Sequence, residues 1–167
     1  MSLDIRPEVP SDADSIAQLT TAAFRTAPAS QNEAFIVNAL RRAGQLTVSL
    51  VAQDGEVLVG HVAFSPVSVS SGAAGWFGLG PISVAPGRQG QGIGSQLMHD
   101  ALAELRRVGA AGCVVLGDPG YYGRFGFAAR PGLVLEGVPP EYFQALSLDG
   151  NYPAGAVQYH DTFNATD

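Results

Sequence analysis

Lysine is absent from the 167 residues, and all nine basic residues are arginine. A GxxxxGK phosphate-binding loop is therefore excluded, because the lysine that grips the phosphates has no candidate. Cysteine is nearly absent too: Cys113 is the single thiol, so no intrachain disulfide can form. It lies in the apolar run Cys113, Val114, Val115 and Leu116, which reads as a buried strand holding a small core thiol rather than a reactive one. Charged residues make up only 14% of the chain, and acids outnumber bases to leave a net charge of -6. A general nucleic-acid binder presents a basic face, so no nucleic-acid partner is expected. No run approaches the roughly 20 apolar residues of a membrane span, and Met1, Ser2, Leu3 and Asp4 do not begin a secretory signal, so no membrane partner is expected either. His61, His99 and His160 form no pair at metal-ligand spacing, and no metal is expected. The expectation is a cytoplasmic chain, and 46% hydrophobic residues suit one domain over residues 1–167.

Glycine, in contrast, is plentiful, and it is clustered where it matters. The stretch Arg88, Gln89, Gly90, Gln91, Gly92, Ile93, Gly94 and Ser95 places three glycines at alternate positions. Before it, Trp76 to Val84 reads as a strand interrupted by Gly80 and Pro81, where a missing ladder donor predicts a bulge. After it, Ile93, Leu97, Met98, Ala101, Leu102, Leu105 and Val108 form one helical stripe ended by Gly109. Free backbone N–H groups and a helix N-terminus meet at one spot, which suits an anion such as a phosphate; a tight turn without a ligand is the alternative. A dinucleotide fingerprint fits less well, because Ser95 occupies the third glycine position and no acid follows about 20 residues on.

Elsewhere, Leu3 to Arg6 alternates as a strand, and Ser11 to Phe24 and Gln31 to Arg42 carry helical stripes. Residues 47–53 and 56–71 read as a hairpin around Asp54 and Gly55. Residues 139–147 are expected to hold a short helix, and 156–163 a last strand. There is no repeat and no linker.

Gln89, Gly90, Gln91, Gly92, Ile93 and Gly94 fit the Q/R-x-x-G-x-G/A pyrophosphate signature, so the chain resembles the GCN5-related N-acetyltransferase (GNAT) superfamily. Residues 79–86 resemble its fourth strand. Gly117, Asp118, Pro119, Gly120, Tyr121, Tyr122, Gly123, Arg124, Phe125, Gly126 and Phe127 resemble its Y-x-x-x-G-F element, in a form seen in a bacterial subgroup of predicted acetyltransferases. The resemblance covers most of the chain and is sharp over residues 79–127. It implies an α/β (α+β) fold: a mixed sheet of about six to seven strands with a splayed fourth and fifth pair, flanked by about four helices.

The same resemblance implies acetyl-CoA as co-substrate and transfer to a primary amine of a small molecule or peptide by direct attack. Backbone N–H groups of Gln89, Gly90, Gln91, Gly92, Ile93, Gly94 and Ser95 would hold the pyrophosphate, with Arg88 at the rim. Ile82, Ser83 and Val84 would pair with the pantetheine arm, and the Ile82 amide would polarise the thioester carbonyl. Tyr122 is the implied general acid, with Tyr121 beside it. Asp118 stands near an asparagine position of the family. Arg124 approaches the cofactor or is simply solvated. Glu33 is a candidate base or a favourable acid in a first helical turn. His61 faces the site or is a hydrogen-bonded structural residue. The acceptor pocket is expected from loops 27–32, 65–75 and 138–152, with Phe24, Trp76, Tyr142, Phe143 and Tyr152 as aromatic walls or core. The resemblance also allows a homodimer. The competing class is a CoA-binding sensor domain without turnover.

Overall fold

The computed structural model describes residues 3–24, 33–160 and 163. Loop 27–32, and with it Gln31 and Asn32 of the expected second helix, lies outside the described residues.

Eight strands and four α-helices are present among the described residues. They run β1 (Leu3–Pro7), α1 (Ala13–Ala23), α2 (Glu33–Arg42), β2 (Val48–Asp54), β3 (Val57–Val69), β4 (Trp76–Val84), α3 (Ile93–Arg107), β5 (Gly112–Leu116), α4 (Pro119–Tyr122), β6 (Leu133–Val134), β7 (Phe143–Ser147) and β8 (Gly155–Tyr159). The main sheet has the order β1-β2-β3-β4-β5-β7. Its pairs are antiparallel except β4 with β5.

Each face of the sheet is covered because the strands alternate. Val48, Leu50 and Ala52 of β2 pack with Ile93, Leu97, Met98 and Leu105 of α3, as the 3.6-residue period places them, whereas Val108 of the expected stripe caps the end of α3 and is exposed. Val51 points the other way and meets Ile16 of α1 and Val37 of α2. Arg41 fastens α2 to the sheet: its Nε and Nη2 donate to the two oxygens of Glu8 at 2.8 and 3.0 Å. None of the helices, within the described residues, is long and apolar enough to cross a membrane.

Two features of β4 shape everything that follows. Opposite β3, the register passes from Val62 with Ile82 to Phe64 with Leu79. Two residues, Gly80 and Pro81, thus face the single Ala63, which is the bulge expected there; the bond between them is cis. On its other edge β4 pairs with β5 only over Trp76–Gly78. From Leu79 to Val84 no strand among the described residues lies beside that edge, and the sheet opens into a fork.

The C-terminal region departs from expectation. In place of a short helix over 139–147 there is one 3₁₀ turn, Pro140–Tyr142, and then β7. Phe143, Gln144 and Ala145 are buried in succession, and pairing with β5 satisfies their backbone, so tertiary pairing overrides local preference. The last strand ends at Tyr159, and its partner is the far end of β3, with Val67 opposite Tyr159 and Val69 opposite Val157.

Candidate active site

The glycine loop lies where β4 turns into α3. Gly90 and Gly92 have φ of 76° and 84°, in the left-handed region that disfavours a side chain. A Cβ on either would meet nothing within 4 Å, so the space over the loop is open. Gly92 caps α3 with no side-chain hydrogen bond, and the first N–H groups of that 15-residue helix have no intrahelical acceptor. Unfilled space above unpaired N–H groups at a positive helix end is a cradle for an anion.

Arg88 and Arg124 bring positive charge to this cradle, which Ile82, Val84, Gly94, Ser95 and Tyr121 also line. Arg88 Nη1 pairs with Asp54 at 3.0 Å, and its Nε donates to the Gln91 side chain at 3.1 Å. The Arg124 guanidinium stacks 4.7 Å from the Tyr121 ring centre. Gly94 lets Tyr121 approach the loop, because a Cβ there would sit 2.9 Å from the Tyr121 hydroxyl and displace it. Gln89 donates from Nε2 to the Val84 carbonyl at 3.2 Å and steadies the loop.

Ile82 also lines a second, larger cleft of about 460 Å³ in the fork of the sheet. Phe24 and Glu33 border it from the α1 and α2 side, Leu79, Gly80 and Pro81 from β4, and Leu116 and Tyr122 from β5 and α4. One carboxylate oxygen of Glu33, Oε2, is buried with no hydrogen-bond partner among the described residues. Burial, followed by the nearby Tyr121 and Asp118, pushes the Tyr122 phenol up to about 12, so it keeps its proton across the physiological range. Tyr121 is raised as well, by burial, against opposing influences from Arg124 and Ser95.

Some expected residues lie elsewhere. The Ser83 side chain is buried on the α1 and α2 side of β4 and lines neither cleft, which leaves only its backbone available to a ligand. Asp118 is exposed and caps α4, accepting from the Gly120 N–H at 2.9 Å. Of the five aromatic walls, only Phe24 borders the fork. Trp76 and Phe143 are core, Tyr152 lies under Arg130, and Tyr142 is on the surface. Loops 65–75 and 138–152 do not reach the fork cleft, because residues 65–69 and 143–147 are strand. Tyr159 and Phe163 do reach it. The strand expected over 156–163 holds through Tyr159 but not to Phe163, which is in a 3₁₀ turn, and only the long-range pairing with β3 brings the segment to the fork.

His61 is the structural residue of its two expected roles. It is fully buried in β3, with Nε2 2.8 Å from Ser49 Oγ, and Ser49 in turn donates to Glu8. Burial foremost lowers its pKa from 6.5 to about 4. Between those values the unfolded chain binds a proton that the native fold refuses, so this contribution is complete above pH 6.5 and shrinks as pH falls. The urea-unfolding free energy is expected to drop by about 2 kcal/mol from pH 7.5 to pH 5. Replacing His61 with asparagine should flatten that slope; an equally steep slope in the variant would assign it to other groups.

A cradle suited to an anion shares Ile82 with an apolar cleft that holds an acid and a phenol, an arrangement that suits a ligand phosphorylated at one end and reacting at the other. A family model for the acetyltransferase (GNAT) domain matches residues 4–130. The chain is 41% identical to the uncharacterized N-acetyltransferase YhbS of Escherichia coli (strain K12), over 96% of this chain and 98% of that protein. It superposes with a TM-score of 0.87 on a GNAT family acetyltransferase from Brucella melitensis crystallised with acetyl-CoA. That protein is 50% identical, with 97% of this chain and 98% of the other covered. The crystal structure of E. coli YhbS with CoA gives a TM-score of 0.88 at 37% identity, covering 99% and 93%. The chain belongs to the GNAT family of N-acetyltransferases.

Proposed function

We propose that residues 1–167 act as one domain that moves the acetyl group of acetyl-CoA to a primary amine of a small molecule or peptide, by direct attack in a ternary complex. The observation that carries this is the shared wall at Ile82, which joins the glycine cradle to the cleft holding Glu33 and Tyr122. The ligands bound by the Brucella and E. coli relatives support the choice of cofactor. Acetyl-CoA, when bound, supplies a thioester-activated acetyl group and a thiol leaving group.

The chain's own residues divide the remaining work. Backbone N–H groups from Gln89 to Ser95, with Arg88, Arg124 and Tyr121 around them, bind the pyrophosphate. The unpaired edge of β4 from Leu79 to Val84 offers backbone groups to the amide-bearing pantetheine arm, as an edge strand offers them to a peptide. Glu33 Oε2, buried and unpartnered, draws an ammonium group and takes its proton. Tyr122 Oη holds the proton needed by the departing thiolate. Cys113 takes no part: it is fully buried and burial pushes its thiol up to about 12, which excludes a ready thiolate nucleophile. An unpaired acid and a phenol in one cleft favour turnover over mere sensing. A reducing compartment that supplies CoA, the cytoplasm, suits this chemistry.

Calorimetric titration of the purified chain with acetyl-CoA, with CoA as comparison, is expected to show saturable binding in about the micromolar range. Failure of both ligands to bind would overturn the proposal. Tight binding with no transfer to any amine would turn it to a sensor.

A further inference from the structure

The fork cleft is apolar along most of its wall, and its polar atoms are few. Phe24, Ile36, Leu79, Leu116, Leu135 and Phe163 are typical of that wall. Among the described lining residues, ionisable or hydroxyl side chains come from three positions only: Glu33, Tyr122 and Tyr159. Two of these present buried oxygens without a hydrogen-bond partner, Glu33 Oε2 and Tyr159 Oη. A buried polar atom left unpaired is destabilising, so each oxygen gains if a ligand supplies its partner.

Tyr159 is held at the base of the fork by shape. Its ring occupies the space beside Gly78, where a Cβ would lie 2.7 Å from Cε2, at the last residue where β4 and β5 pair. Phe163 stacks edge-on with its centroid 4.8 Å away. Burial raises the Tyr159 phenol, with Cys113 and then Tyr122 adding to it, so the hydroxyl stays neutral and can both donate and accept.

We propose that the acceptor is a primary monoamine carried on an apolar frame that bears one neutral hydrogen-bonding group, with Glu33 receiving the ammonium and Tyr159 Oη the neutral group. This rests on the transferase assignment proposed above and adds the acceptor class. One acid among apolar walls matches one cation. A polyamine or aminoglycoside would bring further ammonium groups into a cleft whose described lining has no second acid. A free amino acid would bring a carboxylate, and the described lining has no cation to meet it. The volume of about 460 Å³ falls low in the usual range for small-ligand pockets, which favours a compact frame. Tyr159 acts as a specificity-determining residue, set apart from the proton transfers assigned to Glu33 and Tyr122.

The test is steady-state acetyl transfer to phenethylamine, tyramine, spermidine, lysine and kanamycin, with the wild type and the Tyr159→Phe and Glu33→Gln variants. Urea midpoints and acetyl-CoA titrations are run on each protein. The aryl-alkyl amines should exceed the other three in kcat/KM by at least about tenfold, and tyramine should exceed phenethylamine. Tyr159→Phe should bind acetyl-CoA, unfold at or above the wild-type urea midpoint, and lose about 5–10-fold on tyramine, the worth of one hydrogen bond, and far less on phenethylamine. Glu33→Gln should depress kcat/KM for every amine. Faster transfer to spermidine, lysine or kanamycin would overturn the acceptor class while leaving the transferase intact. An equal loss on tyramine and phenethylamine in Tyr159→Phe would overturn the role of its hydroxyl. Intact acetyl-CoA binding with no transfer to any amine would instead overturn the transferase assignment, and this inference with it.

Discussion

Replacing Tyr122 with phenylalanine is expected to lower kcat about a hundredfold while leaving the affinity for acetyl-CoA within about twofold. The magnitude is that of a positioned general acid, which typically contributes 10²–10⁴. Phenylalanine keeps the ring that meets Tyr121 and Phe127 edge-on, so the packing survives and only the proton is lost. The phenol lies near 12, above a thiol in water at about 8.5. Transfer to a departing thiolate is thus helped only if the apolar fork raises the thiol as well, as burial does for any anion formed there. Because the phenol remains protonated to about pH 11, any alkaline fall in kcat below that pH should be unchanged between wild type and variant. A variant with wild-type kcat would assign the proton to water and Tyr122 to packing.

Gly92→Val is expected to weaken CoA binding by about 10–100-fold. At φ of 84° an L side chain strains the backbone by about 1–2 kcal/mol. If the loop rearranges to relieve the strain, the first N–H groups of α3 turn away from the cradle. If it does not, the isopropyl group stands in open space meant for phosphate oxygens. Both routes lead to lost affinity, and calorimetric titration with CoA measures it. Only modest loss of fold stability is expected, because the site of substitution is exposed. Unchanged affinity would place the pyrophosphate elsewhere.

Local signals carried much of this protein. The alternation of β2, the stripe of α3 and the glycine loop are each written within a few residues, and each appears where the pattern places it. Gly80 and Pro81 announced a bulge because proline has no donor to give the ladder. What local pattern could not carry is the wall of the fork. Trp76, Tyr142, Phe143 and Tyr152 have the same aromatic character as Phe24, Tyr159 and Phe163, and only tertiary placement separates core and surface from cleft. Arg124 could be named, but its seat on the cradle depends on its stacking over Tyr121. Asp118 is an exposed helix cap; a capping acid and a ligand-binding acid look alike in sequence. Glu33 was ambiguous for the same reason, since an acid in a first helical turn is favourable with or without a substrate.

The pairing of Val67 with Tyr159 has a temporal meaning. β2, β3 and β4 follow one another as antiparallel hairpins, whereas β8 returns to β3 only after β4, α3, β5 and β7 have intervened. The glycine loop follows β4 directly, but the fork has no Tyr159 or Phe163 on its wall until that return is made. Closing the long loop between β3 and β8 is slow relative to the local steps. The glycine loop thus rests on contacts between near neighbours in the chain and the floor of the fork on a distant one, so the cleft side is expected to be the later to take shape.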